Sequence, residues 1–176
     1  MIIRQIKITN GFSLLEVIVA LGVITMGILG VFSLVTQTTQ VQTANKNHLI
    51  GSMLAQEGIE LVRNIKDENY LSLVPGTLWN EDISAVDSTF VIDYRGRDFL
   101  DRTPNIISEA STKLYFDAAT GFYTHVVAIN QTTPFRRLIT IDDISASSTV
   151  VSCLVNWNDH GRSKDYVAET ELHDWR

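Results

Sequence analysis

The chain has 176 residues, of which 45% are hydrophobic, 19% are charged and only three are proline, a composition typical of a folded protein and not of a disordered one. Its single cysteine excludes an internal disulfide, a zinc site built from several cysteines and a redox pair of cysteines. The net charge of -6 argues against a general nucleic-acid-binding protein, because attraction to phosphate requires an excess of basic residues.

The hydrophobic residues are concentrated in one segment near the amino terminus, residues 12–36. This segment contains a single charged residue, Glu16, among apolar residues, glycines and a few small polar residues. A helix of roughly 20 apolar residues is long enough to cross a bilayer, so residues 12–36 are predicted to span one.

The basic residues on either side of this segment are unevenly distributed. Arg4 and Lys7 precede it, and the next basic residue is Lys46. By the positive-inside rule, this asymmetry keeps residues 1–11 in the cytoplasm and places residues 37–176 on the other side of the membrane.

A cleaved secretory signal is the first alternative for the apolar segment. Such a signal has an apolar region of about 7–15 residues and ends at a cleavage site in which two small residues are separated by one residue of any kind. Here the apolar region is longer, and the next alanine, Ala44, has Gln42 two positions before it. Cleavage after the apolar segment is therefore not expected.

Glu16 is the residue that a plain membrane anchor does not explain. A carboxylate in a spanning helix costs about 2.5–3.5 kcal/mol near the bilayer centre and less near an end, so such a residue is expected to have a function. If the chain were cut between Gly11 and Phe12, the new amine would lie about one helical turn from this carboxylate. The amine would then be a partner for its charge.

Residues 11–17, Gly-Phe-Ser-Leu-Leu-Glu-Val, resemble the processing motif of the type IV pilin-like family, usually written G-F-[ST]-L-[IL]-E. This family contains type IV pilins and the pseudopilins of type II secretion and related machines. The motif joins a basic leader, a glycine at the cut, a phenylalanine after it, a glutamate and a long apolar segment. The likeness is strong over residues 1 to about 40, and a weaker one continues in residues 56–63.

The resemblance implies that a prepilin peptidase, which is also the methylase, cleaves after Gly11 and methylates the amine of Phe12. It also implies that Glu16 docks the subunit against the amino terminus of a neighbour during assembly. The implied partners are the lipid bilayer, other pilin or pseudopilin subunits and an inner-membrane assembly platform. The implied location is the cytoplasmic (inner) membrane for the single-pass precursor, followed by a pilus or pseudopilus fibre.

One long helix is predicted from about Leu14 to Asp67, membrane-embedded in its first part and amphipathic in its second. Apolar residues recur at spacings of three, four and seven, which is the period of one helix face. We expect this face to consist of Ile50, Met53, Leu54, Leu61, Val62 and Ile65, and the opposite face of Gln56, Glu60, Arg63, Lys66 and Asp67. Glu57 interrupts the apolar face, and Gly58 costs up to about 1 kcal/mol in a helix relative to alanine.

After Asp67 the pattern changes, with helix-stopping signals at Asn69, Pro75 and Gly76 followed by short β-branched and aromatic runs. Residues 117–121 and 158–162 have the composition of hairpin turns, so the sheet is predicted to be antiparallel. The predicted strands are Thr89–Tyr94, Lys113–Phe116, Phe122–Ala128, Arg136–Ile141, Val150–Trp157 and Tyr166–Leu172.

The sequence therefore predicts three parts and an α+β, pilin-like fold. Residues 1–11 form a cytoplasmic leader, and residues 12–36 form the transmembrane and assembly half of one long helix. Residues 37–176 form a soluble domain, in which the apolar face of the helix covers an antiparallel sheet.

Three glycines within the apolar segment, Gly22, Gly27 and Gly30, have two interpretations. Glycine is simply more frequent in spanning helices than in soluble ones. Alternatively, these residues loosen the helix so that it bends or packs closely among identical segments.

Other residues with possible chemistry favour no enzyme, metal site or cofactor. Cys153 lies on the inward side of its predicted strand, which favours a buried thiol. The histidines, His48, His125, His160 and His173, lack metal-ligand spacing, and His160 falls in a turn. Asp93, Asp98, Asp101, Asp142 and Asp143 could ligate calcium, but interleaved arginines favour a solvated loop without metal.

The only candidate DNA-binding patch consists of Arg95, Arg97, Arg102, Arg136 and Arg137. Neighbouring aspartates weaken its attraction for phosphate, so DNA is not an expected partner.

We therefore expect a non-enzymatic fibre subunit, of either a pilus or a secretion pseudopilus. The alternative is a membrane-anchored extracytoplasmic binding domain that does not polymerise.

Overall fold

The computed structural model describes residues 11, 13–72, 74, 76–83, 88–96, 100–102, 104–127, 131–145 and 147–175, without the side chains of residues 143 and 144. The chain divides into two units, Met1–Thr43 and Ala44–Arg176. The first unit contains the start of the long helix, and the second contains the rest of the helix and the sheet.

Helix α1 extends from Leu14 to Leu71, over 58 residues. The predicted start is confirmed, but the helix continues one turn beyond the predicted end at Asp67. Asn69 does not stop the helix as predicted, because its side-chain amide is used by the tertiary structure. It donates hydrogen bonds to the carbonyl oxygens of Trp79, at 3.2 Å, and Glu81, at 2.8 Å. These bonds tie the last turn of α1 to the loop that follows.

Six antiparallel strands form the sheet, which confirms the predicted α+β class. Their order is β3-β2-β4-β5-β6, and β1 pairs with β4 beside this path. The strands are β1 (Ser88–Phe90), β2 (Lys113–Phe116), β3 (Tyr123–Thr124), β4 (Gln131–Ser145), β5 (Ser148–Asp159) and β6 (Arg162–His173).

Each predicted strand corresponds to one of these; the ends of β2 are as predicted, and those of the other strands differ. β1 stops at Phe90, short of the predicted Tyr94, because Val91 pairs with Asp101 instead of β4. The chain then turns at Asp93, whose carbonyl accepts a 3.0 Å hydrogen bond from Gly96 N. β4 begins before the predicted Arg136 and includes Pro134. The strand tolerates this proline because the register with β2 shifts at this point and pairing with β5 begins only at Phe135.

Both predicted turns join neighbouring antiparallel strands. Residues 117–121 connect β2 to β3, and residues 158–162 connect β5 to β6. In the second turn His160 and Gly161 have φ values of 50° and 81°, which is the backbone of a tight two-residue hairpin. His160 lies in this turn as predicted.

The core lies between the sheet and the part of α1 that belongs to the second unit. Leu54, Val62 and Ile65 are buried as predicted, Ile50 and Leu61 are half-buried, and Met53 is exposed, which contradicts its predicted place on the apolar face. Other buried helix residues are small or were not assigned to the face: Gly51, Ala55, Gly58 and Ile59. Strand residues that complete the core include Phe90, Ile92, Leu114, Phe135, Ile139, Ile141, Val151, Cys153, Val155 and Trp157.

Two glycines set the close approach of α1 to β5. A Cβ atom at Gly51 would lie 2.7 Å from the Trp157 ring, and one at Gly58 would lie 2.5 Å from Cys153 Sγ. Cβ atoms are not found so close to other heavy atoms, so both positions require glycine as long as the helix keeps this distance from the sheet. Gly58 therefore lowers the helix propensity of α1 but allows α1 to pack closely on β5.

Lys66 is a second correction to the predicted faces, because it is buried instead of solvated. Its ammonium lies over the rings of Tyr70 and Trp175, at 5.6 and 5.4 Å from their centroids. Burial of the aliphatic stem against aromatic rings, with the charge over their faces, accounts for this position.

Candidate membrane-spanning and assembly segment

The residues predicted to form the processing and docking site lie at the beginning of α1. Gly11 is exposed and precedes the helix, and Glu16 is exposed in the first helical turn. Phe12, the predicted site of cleavage and methylation, lies outside the described residues. The positions of Gly11 and Glu16 agree with a cut site next to a helix start, but they do not test cleavage.

The spacing of Ser13 and Glu16 at the helix start matches a known capping pattern, which the sequence reasoning did not use. Ser13 is the residue before the helix, and its carbonyl accepts a 3.2 Å hydrogen bond from Val17 N. Ser13 and Glu16 therefore occupy the first and last positions of the S-x-x-E capping box, a common signature of helix starts. A carboxylate in the first turn is also favoured by the helix macrodipole.

The segment that follows presents apolar side chains to its surroundings on all sides. Exposed fractions reach 78% for Leu14, 77% for Met26 and 70% for Phe32. By length and composition this part of α1 could cross a membrane, and none of its most apolar window is buried within the chain. So much apolar surface is unfavourable in water, and either lipid or other protein must cover it.

Glycines in this segment are not required by packing inside the chain. A Cβ atom at Gly22, Gly27 or Gly30 would meet nothing within 4 Å. Beside Gly27 lies a shallow, almost wholly apolar depression along the helix, lined by Ile24, Gly27, Ile28, Val31, Phe32 and Val35. The structure is thus compatible with both interpretations of the glycines.

Threonine hydroxyls along the helix are satisfied by the helix itself. Thr25 Oγ1 donates to the carbonyl oxygens of Leu21 and Gly22, both at 2.9 Å, and Thr36 Oγ1 donates to that of Phe32 at 2.9 Å. The same i−4 bond is made by Thr38, Thr39 and Thr43. Since these hydroxyls need no water, the polar residues at the end of the apolar segment fit either lipid or a packed bundle.

In the second unit, Arg136 and Arg137 of the candidate DNA patch make contacts within the protein, whereas Arg97 lies outside the described residues. Arg137 is fully buried, and donates to the carbonyl oxygens of Leu54, at 3.2 Å, and Ile92, at 2.8 Å. Its Nη1 lies 3.2 Å from Glu57 Oε1, which explains the acidic residue on the apolar face of the helix. Arg136 donates to the carbonyl oxygen of Glu109 at 2.6 Å. These contacts contradict a DNA patch that includes Arg137.

Asp93, one of the candidate calcium ligands, already has partners for both oxygens. Burial would raise its pKa, but hydrogen bonds from Arg95 and Thr124 hold the pKa below its usual value. Arg95 approaches Asp93 Oδ1 through Nε at 3.0 Å and Oδ2 through Nη2 at 2.7 Å, and Thr124 also donates to Oδ2. Among the described residues no group of three His, Cys, Asp or Glu side chains is placed to hold a metal ion. Asp98 and the side chain of Asp143 lie outside the described part.

Cys153 is confirmed as a buried thiol. It is fully buried under Gly58, and burial raises its pKa to about 12. A thiol with this pKa is not ionised near neutral pH, so Cys153 acts as a small apolar residue of the core.

No protein-family model matches the chain, and no curated protein or solved structure shows significant similarity to it. What the structure establishes is a layout: one long helix, able to span a membrane in its first part, whose second part packs on an antiparallel sheet. This layout is compatible with that of a pilin-like protein.

Proposed function

We propose that this protein is a non-enzymatic structural subunit of a type IV pilus or pseudopilus. It is made as a membrane-anchored precursor, cleaved after Gly11, methylated on the amine of Phe12 and then assembled into a helical fibre. The observation that carries the proposal is the position of Glu16. It is the one charged residue of an exposed apolar segment and lies in the first helical turn, a few residues after Gly11.

The exposed apolar surface supports a change of surroundings between membrane and fibre. In the precursor, lipid covers this surface, and the leader keeps the amine of Phe12 within a peptide bond. After extraction, identical segments of neighbouring subunits cover the same surface, and van der Waals packing replaces the contacts with lipid. The glycines and the internally bonded threonines are compatible with such close helix packing.

Glu16 gives this assembly its direction. A carboxylate is costly in hydrocarbon but is stabilised by the positively charged amine of a neighbouring Phe12. When a subunit enters the fibre with its amine near the Glu16 carboxylate of a neighbour, the cost of placing that carboxylate in an apolar environment falls. The partners in this scheme are other pilin or pseudopilin subunits, the prepilin peptidase and methylase, and an inner-membrane assembly platform.

The processing step is tested by matched glycine substitutions. Gly11→Ala is expected to leave the full-length precursor in the membrane, because the glycine at the cut is replaced. Gly22→Ala is the control, since a Cβ atom there meets nothing within 4 Å, and it should be processed normally. Loss of eleven residues is visible as a mobility shift on immunoblots of membrane fractions. Equal processing of both variants would count against Gly11 as the cleavage site.

The alternative function is a membrane-anchored extracytoplasmic binding domain that does not polymerise. The exposed apolar helix is consistent with it, since an anchor needs the same surface. This alternative predicts an uncleaved leader and no chain in fibre fractions. It gives no reason for a carboxylate at position 16 beyond helix capping.

A further inference from the structure

The uncharged part of α1 is longer than a membrane span requires. Residues 17–45, a run of 29 positions, contain no charged residue, whereas seven of the 26 residues from 46 to 71 in the same helix are charged. A bilayer core takes up roughly 20 residues of helix, and the predicted span ends at residue 36. Lipid therefore does not require the neutrality of residues 37–45, Gln-Thr-Thr-Gln-Val-Gln-Thr-Ala-Asn, which we call the neutral segment.

The described part of the chain covers little of the neutral segment. Residues 37–43 are all exposed, and the first unit ends at Thr43. Five of the nine residues are threonine, valine or asparagine, which are weak helix formers, and the segment has no charged side chains for stabilising pairs along the helix. Helices in proteins owe most of their stability to the packing of an apolar face. Within this chain, the neutral segment therefore lacks what normally keeps a helix of this composition folded.

The polar side chains of the neutral segment differ in whether the helix itself satisfies them. The hydroxyl of each threonine donates to the carbonyl oxygen four residues before it. The amide of Gln37 donates to Ser33 Oγ at 3.4 Å. Among the described residues, the side-chain amides of Gln40 and Gln42 have no hydrogen-bond partner. These two residues are about 200° apart around the helix, so free amides lie on opposite sides of it.

Lipid and water are both poor surroundings for the neutral segment. An amide without a partner is costly in hydrocarbon. In water, a helix that is polar on all sides is normally stabilised by ion pairs, and roughly a quarter or more of a soluble surface is charged. Packing against an identical helix does require neutrality, because each charge would meet the same charge on its neighbour. An amide both donates and accepts, so it can pair with the same amide of a second copy.

We infer that the neutral segment is a contact surface between copies of this chain, in which the amides of Gln40 and Gln42 form hydrogen bonds between neighbouring helices. The inference rests on the proposed function and extends its interface beyond the membrane-spanning residues. The apolar segment supplies van der Waals packing between copies, and the neutral segment continues the same helix contact where lipid ends.

Glutamate substitutions test whether neutrality is needed, because they keep the size and helix propensity of glutamine and add a charge. Acidic residues also have little effect on membrane orientation. Gln40→Glu and Gln42→Glu should each lower the amount of chain in sheared fibres at least tenfold, with membrane insertion and leader cleavage unchanged. Gln40→Asn, which stays uncharged, should enter fibres nearly as well as wild type. Gln56→Glu is the matched control, since Gln56 is exposed in the second unit, and it should also enter normally.

Photocrosslinking identifies the occupant of this surface. With p-benzoylphenylalanine in place of Gln40, illuminated fibres should contain a covalent adduct in which mass spectrometry finds two copies of this chain. The inference is overturned if the adduct joins this chain to another polypeptide, if none forms in fibres that contain the chain, or if Gln40→Glu and Gln56→Glu enter fibres equally. In each of these cases wild type is still found in fibres. Absence of wild type from fibres would overturn the proposed function, and this inference with it.

Discussion

Two roles are proposed for Glu16, in helix capping and in assembly, and Glu16→Leu removes both. Glu16 lies at the last position of a capping box that begins at Ser13, and it is the one charge of the apolar segment. Loss of a helix cap costs about 1 kcal/mol, which frays the helix start. Loss of the proposed pairing with an amine prevents a subunit from entering a fibre. Variants that remove one role at a time distinguish the two.

We predict that Glu16→Leu leaves membrane insertion and leader cleavage intact but depletes the protein from sheared fibres. Removal of a charge favours a spanning helix, so the loss is specific to assembly. Glu16→Gln keeps a side chain that is compatible with the capping box and loses only the charge, so it should incorporate between wild type and leucine, or fail as leucine does if charge dominates. Immunoblots of fibre and membrane fractions measure the ratio.

Ser13→Ala is the matched control, because it removes the cap and keeps the carboxylate. It should incorporate into fibres nearly as well as wild type. If Ser13→Ala enters fibres as poorly as Glu16→Leu, loss of the helix cap alone explains the failure to incorporate. Normal incorporation of Glu16→Leu, in cells without the wild-type chain, would leave Glu16 with no role in assembly.

His125 makes stability depend on pH. Burial, with the nearby charge of Arg137, lowers its pKa from 6.5 to about 4. Its Nδ1 lies 3.2 Å from the carbonyl oxygen of Lys113, and its buried Nε2 has no protein hydrogen-bond partner among the described residues. The folded state therefore holds a neutral ring at a pH where the unfolded chain already binds a proton.

The sign of this effect follows from proton binding. Between pH 6.5 and about 4 the unfolded state binds more protons at this position, so stability falls as the pH falls. The loss is at most about 3 kcal/mol, because one pKa unit corresponds to roughly 1.4 kcal/mol. Thermal unfolding of wild type and His125→Gln from pH 7 to pH 4 should show a smaller decrease for the variant. Parallel curves would contradict a depressed pKa.

At the scale of elements, the contact between α1 and β5 depends on Gly58 and Cys153. A Cβ atom at position 58 would lie 2.5 Å from Cys153 Sγ, 3.3 Å from Arg137 Cδ and 3.4 Å from Cys153 Cβ. Only the first of these distances is prohibitive, since the other two require small shifts. One sulfur atom therefore decides whether alanine fits.

We predict that Gly58→Ala destabilises the second unit by about 1–3 kcal/mol through overpacking, despite the better helix propensity of alanine. Cys153→Ala removes the clashing sulfur, so Gly58→Ala should be less harmful in that background. Denaturant unfolding of the four proteins gives the coupling free energy. Additive effects of the two substitutions would contradict the close contact between Gly58 and Cys153.

The periodicity of the sequence predicted the helix and the six strands, and the composition of two turns predicted an antiparallel sheet, because these patterns are local along the chain. It did not predict the positions that depend on tertiary contacts. Glu57 interrupts the apolar pattern of the sequence because its partner, Arg137, lies beneath the helix. The predictions for Met53 and Lys66 were wrong, since Met53 is exposed and Lys66 is buried. The apolar face is displaced towards Gly51, Ala55 and Gly58, since close packing against β5 favours small residues that hydrophobicity alone does not rank highly.

Some features of the start of α1 could also be predicted from the sequence. The apolar length and the exception at Glu16 are visible in the sequence, and the S-x-x-E spacing of Ser13 and Glu16 was an available signal for the helix start. The position of β6 at one end of the strand order was not predictable, because the position of a strand within a sheet depends on pairings between distant residues. Processing at Gly11 and docking through Glu16 remain predictions.

At the scale of the whole molecule, the two units differ in where their apolar side chains lie. The second has a buried apolar core, and the apolar segment of the first is exposed along its helix. A folded domain attached to a helix that only lipid or other protein can cover is suited to a subunit that moves from a membrane into a fibre. The central claim is therefore that cleavage after Gly11 comes before assembly through residues 12–36.

The most direct test is the amino terminus of the chain in fibres sheared from cells, determined by mass spectrometry of its first peptide. Our account predicts a chain that begins at N-methylated Phe12 in the fibre fraction, with any chain that begins at Met1 confined to the membrane. A chain that keeps residues 1–11 and is absent from sheared fibres, in cells whose other fibre subunits assemble normally, would contradict it.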